Sequence, residues 1–85
     1  MNLGNQITLI KAKISERENA LMRILKRGEN LFILLREQLD PTADDITCLD
    51  LESAGLAMED LREAKAAAIE IKAEIAKLKK EIGEA

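Results

Sequence analysis

The chain has 85 residues, of which 47% are hydrophobic, 34% charged and only 1% aromatic, and its formal net charge is −3. This length predicts one domain, residues 1–85. The abundance of Ala, Leu, Ile, Glu and Lys is typical of long or coiled helices. The absence of histidine removes the usual acid–base catalyst near neutral pH. The single cysteine, Cys48, excludes an intramolecular disulfide.

The first predicted element is a helix from about Leu3 to Leu39. Its apolar residues recur at spacings of three and four, the heptad pattern of a coiled-coil seam. The predicted seam positions are Leu3, Ile7, Ile10, Ile14, Leu21, Ile24, Leu31, Leu35 and Leu39. Arg17 and Gly28 interrupt the apolar sequence of the seam. Segment 31–35 is apolar nearly all round, so we expect burial on more than one side.

The only proline, Pro41, lies near the midpoint of the chain and predicts a reversal at residues 40–43. Proline breaks a helix interior but is tolerated at a helix start, and it disfavours helical geometry at the preceding residue. Thr42 is the predicted N-cap of the second helix because a threonine hydroxyl can accept a hydrogen bond from a first-turn amide. Matched helical patterns on both sides of this point predict a helical hairpin.

The second predicted helix runs over residues 43–82, with Gly83 as its stop signal. Its clearest seam positions are Leu61, Ala64, Ala68, Ile71, Ile75, Leu78 and Ile82. Upstream, Ile46, Leu49, Ser53 and Leu56 follow a shifted register, so we expect a discontinuity between Leu56 and Leu61. A helix that breaks near residues 53–56, beside Gly55, remains an alternative.

A turn centred near residue 42 brings residues level when their numbers add up to about 84. This rule places Arg27 near Asp60, and Gly28 level with Gly55. It places Arg17 opposite the alanines at 66–68, where a long side chain can cross the seam towards solvent. We expect Glu18 or Glu70 to take the charge of that arginine.

The residue types predict no enzyme, no metal and no cofactor. Cys48 lacks an imidazole partner and is interpreted as an apolar filler beside Leu49. Four aspartates near the turn do not fit the spacing of a calcium loop, so they are interpreted as capping and solubilising groups. These are Asp40, Asp44, Asp45 and Asp50.

Charge and hydropathy also argue against nucleic acid and membrane as ligands. The basic residues of the first helix alternate with acidic ones and lack an aromatic stacking platform. No apolar segment approaches the roughly 20 residues that span a bilayer. The N-terminal sequence lacks the pattern of a signal peptide, so we expect a cytoplasmic protein.

A single hairpin of this size buries little surface, and a second source of burial is expected. The predicted fold is therefore an all-α, long antiparallel helical hairpin, coiled-coil-like, that pairs with a second copy into a four-helix-bundle homodimer. The predicted self-association residues are Leu31, Phe32, Leu34, Leu35, Leu49 and Leu56.

Two functional classes agree with this sequence. The first is a non-enzymatic protein–protein interaction module, a self-associating scaffold or adaptor. The second is a small regulatory or inhibitory protein, for example from a phage or another mobile element, that binds and blocks an unknown partner protein. The acidic surface predicted to contact such a partner comprises Asp50, Glu52, Glu59 and Asp60.

Overall fold

The computed structural model describes residues 3–40 and 45–83. It contains helix α1 (Leu3–Gln38), a short 3₁₀ helix (Ile46–Cys48) and helix α2 (Leu51–Glu81). The two long helices pack against each other in an elongated hairpin of 66 × 17 × 14 Å, with no strand in the described segments. The predicted all-α helical hairpin is confirmed.

The seam of α1 is more regular than its apolar residues suggest. The side chains turned towards α2 follow spacings of three and four without a gap, and Arg17 and Gly28 occupy half-buried positions within it. At the loop end the next seam position is the half-buried Gln38, whereas Leu39 is exposed. The heptad pattern of positions facing α2 therefore continues through polar residues. The backbone geometry of the helix sets its period, whatever the chemistry of the side chains.

The seam of α2 runs through alanines near the loop. Ala54 and Ala57 are buried, and with Leu61 they continue the three–four spacing of the C-terminal part. Leu56 is 67% exposed. The predicted discontinuity between Leu56 and Leu61 is therefore wrong: it arose because larger side chains were assigned to the seam, whereas the packing selects the small ones.

Helix α2 begins at Leu51, eight residues later than the predicted residue 43. Asp50 caps it, because its carboxylate accepts a hydrogen bond from the Ser53 amide at 3.0 Å. The helix continues without a break to Glu81, so the alternative break near residues 53–56 is not observed. The predicted Thr42 cap lies outside the described residues. At the other end Gly83 has φ of 75°, the left-handed geometry expected of a helix stop.

Because α2 starts later than predicted, the alignment of α2 with α1 is shifted. A Cβ placed on Gly28 would lie 3.7 Å from Leu61 Cδ1, so residues are level when their numbers add up to about 89 instead of 84. The predicted pairing of Gly28 with Gly55 is wrong, and Gly55 has nothing within 4 Å of its own Cβ position. The predicted pairing of Arg27 with Asp60 is confirmed by an ion pair of 3.7 Å.

The core of the hairpin is thin. Its buried residues are Ile14, Leu35, Ala54, Ala57, Ala68 and Ile75. Near the loop, Leu35 packs with two of these alanines, and Leu31 and Leu61 cover them. No described side chain reaches less than 2% exposure. The single interface between two helices therefore leaves every core residue close to the surface.

Candidate functional site

One side of the hairpin is joined by ion pairs across the seam. Arg27 Nη2 lies 3.7 Å from Asp60 Oδ2, and Arg17 Nε lies 3.3 Å from Glu74 Oε1. Asp60 and Glu74 are two heptads apart, so they share one side of α2. The acceptor for Arg17 is thus Glu74, and not the predicted Glu18 or Glu70. We call this side, defined by the two ion pairs, the paired side.

The opposite side of the seam is apolar and uncovered. Leu25, Phe32 and Leu39 repeat every seven residues along α1, and all three are exposed. Met58 and Ile69 are the exposed apolar residues that border the same grooves from α2. We call the surface formed by these five residues the open face. An antiparallel pair of helices has two such flanks, and the ion pairs of Arg17 with Glu74 and of Arg27 with Asp60 both lie on the other one.

Two adjoining grooves run along the open face. The groove nearer the loop has a volume of about 690 Å³ and is bordered by Phe32, Leu39 and Met58. The second has a volume of about 340 Å³ and lies over Leu25 and Gly28. Leu61 lines both, so the grooves form one continuous depression. The missing side chain of Gly28 deepens it, because only Leu61 Cδ1 approaches the place of a Cβ.

The predicted self-association residues are distributed over four environments. Leu35 is 6% exposed and Leu31 is half-buried, both in the core of the hairpin itself. Phe32 is 56% exposed and lies on the open face. Leu34 follows Arg27 by one heptad and Leu56 precedes Asp60 by one turn, so both are turned towards the paired side. Leu49 is half-buried in the loop. Of the six, Phe32 and Leu35 line the groove nearer the loop, and only Phe32 is exposed there.

The predicted acidic surface is likewise divided. Asp50 serves as the cap of α2, and Asp60 is paired with Arg27. Glu52 and Glu59 are exposed and lie one heptad apart, on one outer strip of α2. The four carboxylates therefore do not form one uninterrupted surface for a basic partner.

The loop aspartates act as caps. The Asp45 carboxylate accepts hydrogen bonds from the Thr47 hydroxyl and from the Thr47 amide, and these bonds lower the pKa of Asp45. The hydrogen bond from the Ser53 amide lowers the pKa of Asp50 in the same way. Cys48 is exposed beside them, contrary to its interpretation as an apolar filler. The capping role predicted for these two aspartates is thus observed.

Sequence reasoning found Phe32 but missed the other members of the open face. Leu25, Phe32 and Leu39 are spaced by seven residues, next to the seam, and that spacing was the available signal. It was not used because Leu39 was assigned to the seam itself. On α2, Met58 lies one position after Ala57, so its place is fixed only once the alanines are known to be buried.

The described part of the chain offers little else for chemistry. Residues 3–40 and 45–83 contain no cluster of acidic or cysteine side chains that could hold a metal ion. Within the same segments, neither long helix has an apolar stretch that could cross a bilayer. Comparisons of this chain with protein-family models, with curated proteins and with solved structures gave no match.

Proposed function

We propose that this chain is a non-enzymatic protein–protein interaction module that works as a self-associating helical scaffold or adaptor. The observation that carries the proposal is the open face, a continuous apolar depression on one flank of the seam. Contiguous exposed apolar surface rimmed by polar residues is typical of protein interaction sites. Amphipathic hairpins satisfy such a face by packing against further helices, as in a four-helix bundle.

The surface area of the hairpin supports self-association. A monomeric protein of 9.4 kDa is expected to expose about 5,000 Å². This chain exposes 6727 Å², an excess of roughly 1,700 Å². A stable complex of standard size removes about 800 Å² from each partner, and obligate dimers remove more. The hairpin thus has enough surplus surface for an obligate dimer interface.

The test is the mass in solution of two matched variants, measured by light scattering at micromolar concentration. Phe32→Glu places a charge in the middle of the open face, and we expect a monomer. Leu56→Glu places the same charge on another exposed apolar residue outside that face, and we expect the dimer of the unchanged protein. A monomeric unchanged protein, or dissociation by Leu56→Glu alone, would contradict the proposal.

A second candidate function is the regulatory or inhibitory protein that binds a partner. The observation that favours it is the apolar pair Leu34 and Leu56, which remains exposed after the open face is covered. For this function, purified partner should bind the unchanged dimer and lose affinity on Leu56→Glu, without a change of dimer mass. Equal binding by both proteins would contradict it.

A further inference from the structure

The two ends of the open face carry opposite charge. Glu37 and Asp40 border the groove at the loop end together with Arg36, so the three side chains carry a net charge of −1. Lys65 and Lys72 border it at the other end. Between them lies the apolar stretch from Leu39 to Leu25. A surface with an acidic end, an apolar middle and a basic end is complementary to itself when one copy is turned round.

The charged residues of the whole chain are distributed in the same way. Residues 29–60, which form the loop end, contain nine acidic and one basic residue. The remainder contains seven acidic and 12 basic residues. This separation exists only in the folded hairpin, because the reversal brings the two basic chain ends together and leaves the acidic middle of the sequence at the loop.

We propose that the occupant of the open face is a second copy of this chain, docked antiparallel about a twofold axis that passes near Phe32. This inference rests on the proposed function and adds the orientation to it. The axis places Phe32 beside its counterpart, and Leu25 of each hairpin beside Leu39 of the other, because both lie seven residues from Phe32. A twofold axis makes the same patch meet itself on both chains.

The same axis also matches the charges. It brings Asp40 of each hairpin level with Lys65 of the other, each about eight residues from Phe32, twice by symmetry. Glu37 lies three residues nearer the axis, and Lys72 lies seven residues further out, opposite the loop end of the other hairpin. A parallel dimer would cover the same apolar residues but would place the two acidic loop ends side by side. Like-charge juxtaposition across an interface is costly, so charge decides the orientation where the apolar face alone does not.

The antiparallel dimer overlaps along the loop halves of the hairpins and the adjoining residues up to Lys72. From Leu25 to Leu39 the apolar stretch extends about 21 Å at 1.5 Å per residue. Beyond Lys72 the grooves end, and the chain termini of each hairpin extend away from the interface. The four-helix bundle is therefore central and short, with a two-helix arm projecting from each end.

Distances between spin labels test the orientation directly. A single label at Ala12→Cys, an exposed position of α1, is introduced together with Cys48→Ser to remove the native thiol. Ala12 is 20 residues from Phe32, about 30 Å along the helix, so the antiparallel dimer separates the two labels by about 60 Å. In a parallel dimer they lie at the same level, within about 30 Å of each other.

The outcomes separate this inference from the proposed function. A dimer with a distance near 60 Å supports both. A dimer with a distance below about 30 Å overturns the antiparallel orientation and leaves self-association standing. A monomer by light scattering, with no dipolar coupling between labels, overturns both.

Charge reversal gives an independent test. Lys65→Glu with Lys72→Glu should raise the dimer dissociation constant roughly tenfold, because several exposed pairs of modest strength turn repulsive. Adding Glu37→Lys and Asp40→Lys to the same chain should restore it. The matched control, Lys77→Glu with Lys80→Glu, makes the same change of net charge outside the grooves and should have little effect. An equal loss in the control, or no rescue, would count against the antiparallel pairing.

Discussion

The two halves of the hairpin use large apolar side chains in opposite ways. The terminal half comprises residues 4–21 and 68–83, and the loop half comprises residues 22–40 and 45–67. Of the large apolar side chains exposed in these segments, ten belong to the loop half and two to the terminal half. The buried seam residues are Ile14, Ala68 and Ile75 at the terminal half, and Leu35, Ala54 and Ala57 at the loop half.

This difference shows which half of the hairpin buries its large apolar side chains within one chain. On the α2 side of the loop half both buried seam residues are alanines, which contribute little apolar area to the contact between the helices. The large residues of that region are turned outwards instead. The terminal half therefore exposes few large apolar side chains, whereas the loop half exposes many, a composition that is typical of the centre of an interface.

The largest expected effect is on Leu35, which supplies most of the apolar volume between the alanines of the loop half. Leu35→Ala should lower the free energy of unfolding by about 2–5 kcal/mol, as for buried leucines generally. Leu56→Ala, at a leucine that is 67% exposed, should change it by less than about 0.5 kcal/mol. Urea denaturation measures both. A loss for Leu35→Ala no larger than that for Leu56→Ala would contradict the place of Leu35 in the core of the loop half.

Glycine replacement tests the packing of the loop half at an exposed position, Gly55, and at a half-buried one, Gly28. Gly55→Ala should stabilise the protein by about 1 kcal/mol, because the site is exposed, helical and free of neighbours. Gly28→Ala should give a similar gain, because the new methyl group would meet Leu61 Cδ1 at an ordinary contact distance of 3.7 Å. Thermal denaturation measures both. A loss for Gly28→Ala alone would mean that the seam is tighter there than the structure indicates.

The ion pairs of the paired side should contribute less. A double-mutant cycle on Arg27 and Asp60 should give a coupling energy of about 0.2–1 kcal/mol, since both side chains are largely exposed. The cycle on Arg17 and Glu74 should give a similar value, and both should fall as salt is added. A coupling energy well above this range, or one that salt does not weaken, would show that water reaches the paired side less than its exposure in the structure indicates.

The smallest effect concerns pH at the start of α2. Because the pKa of Asp50 is lowered in the folded chain, its cap stabilises the fold at neutral pH and is lost as the pH falls below the usual carboxyl value of about 3.9. Asp50→Asn should keep a cap that does not titrate, so the acid-induced decrease in melting temperature should become slightly smaller. Glu52→Gln, a neighbouring exposed carboxylate, is the control. Identical pH profiles for the unchanged protein and Asp50→Asn would contradict the role of the cap.

Much of the fold could be predicted from the sequence. The alternating spacing of three and four indicated both helices, and Pro41 marked the reversal. The heptad position of Gln38 and the start of α2 at Leu51 were missed, because helix boundaries depend on which hydrogen bonds the caps form. Aspartate is the better N-cap of the two residue types, but the position of Pro41 directed the prediction to Thr42.

The candidate site was predicted less well, for a physical reason. Hydropathy ranks leucine above alanine, so Leu56 was assigned to the seam and Ala57 was not. The choice between them depends on the opposite helix, where Leu35 fills the space that an alanine leaves. A pattern along one helix contains no information about the volume offered by the other.

The sequence by itself determined that two long helices form and where the chain reverses, because both follow from local backbone preferences and from the period of apolar residues. Only the tertiary structure decided the alignment of the arms, and with it which flank is joined by ion pairs and which stays open. The numbers of residues that lie level add up to about 89 instead of 84, so each residue of α1 lies opposite a residue of α2 five positions later than predicted. Every neighbour across the seam changes as a result. The open face of Leu25, Phe32, Leu39, Met58 and Ile69 is a product of that alignment.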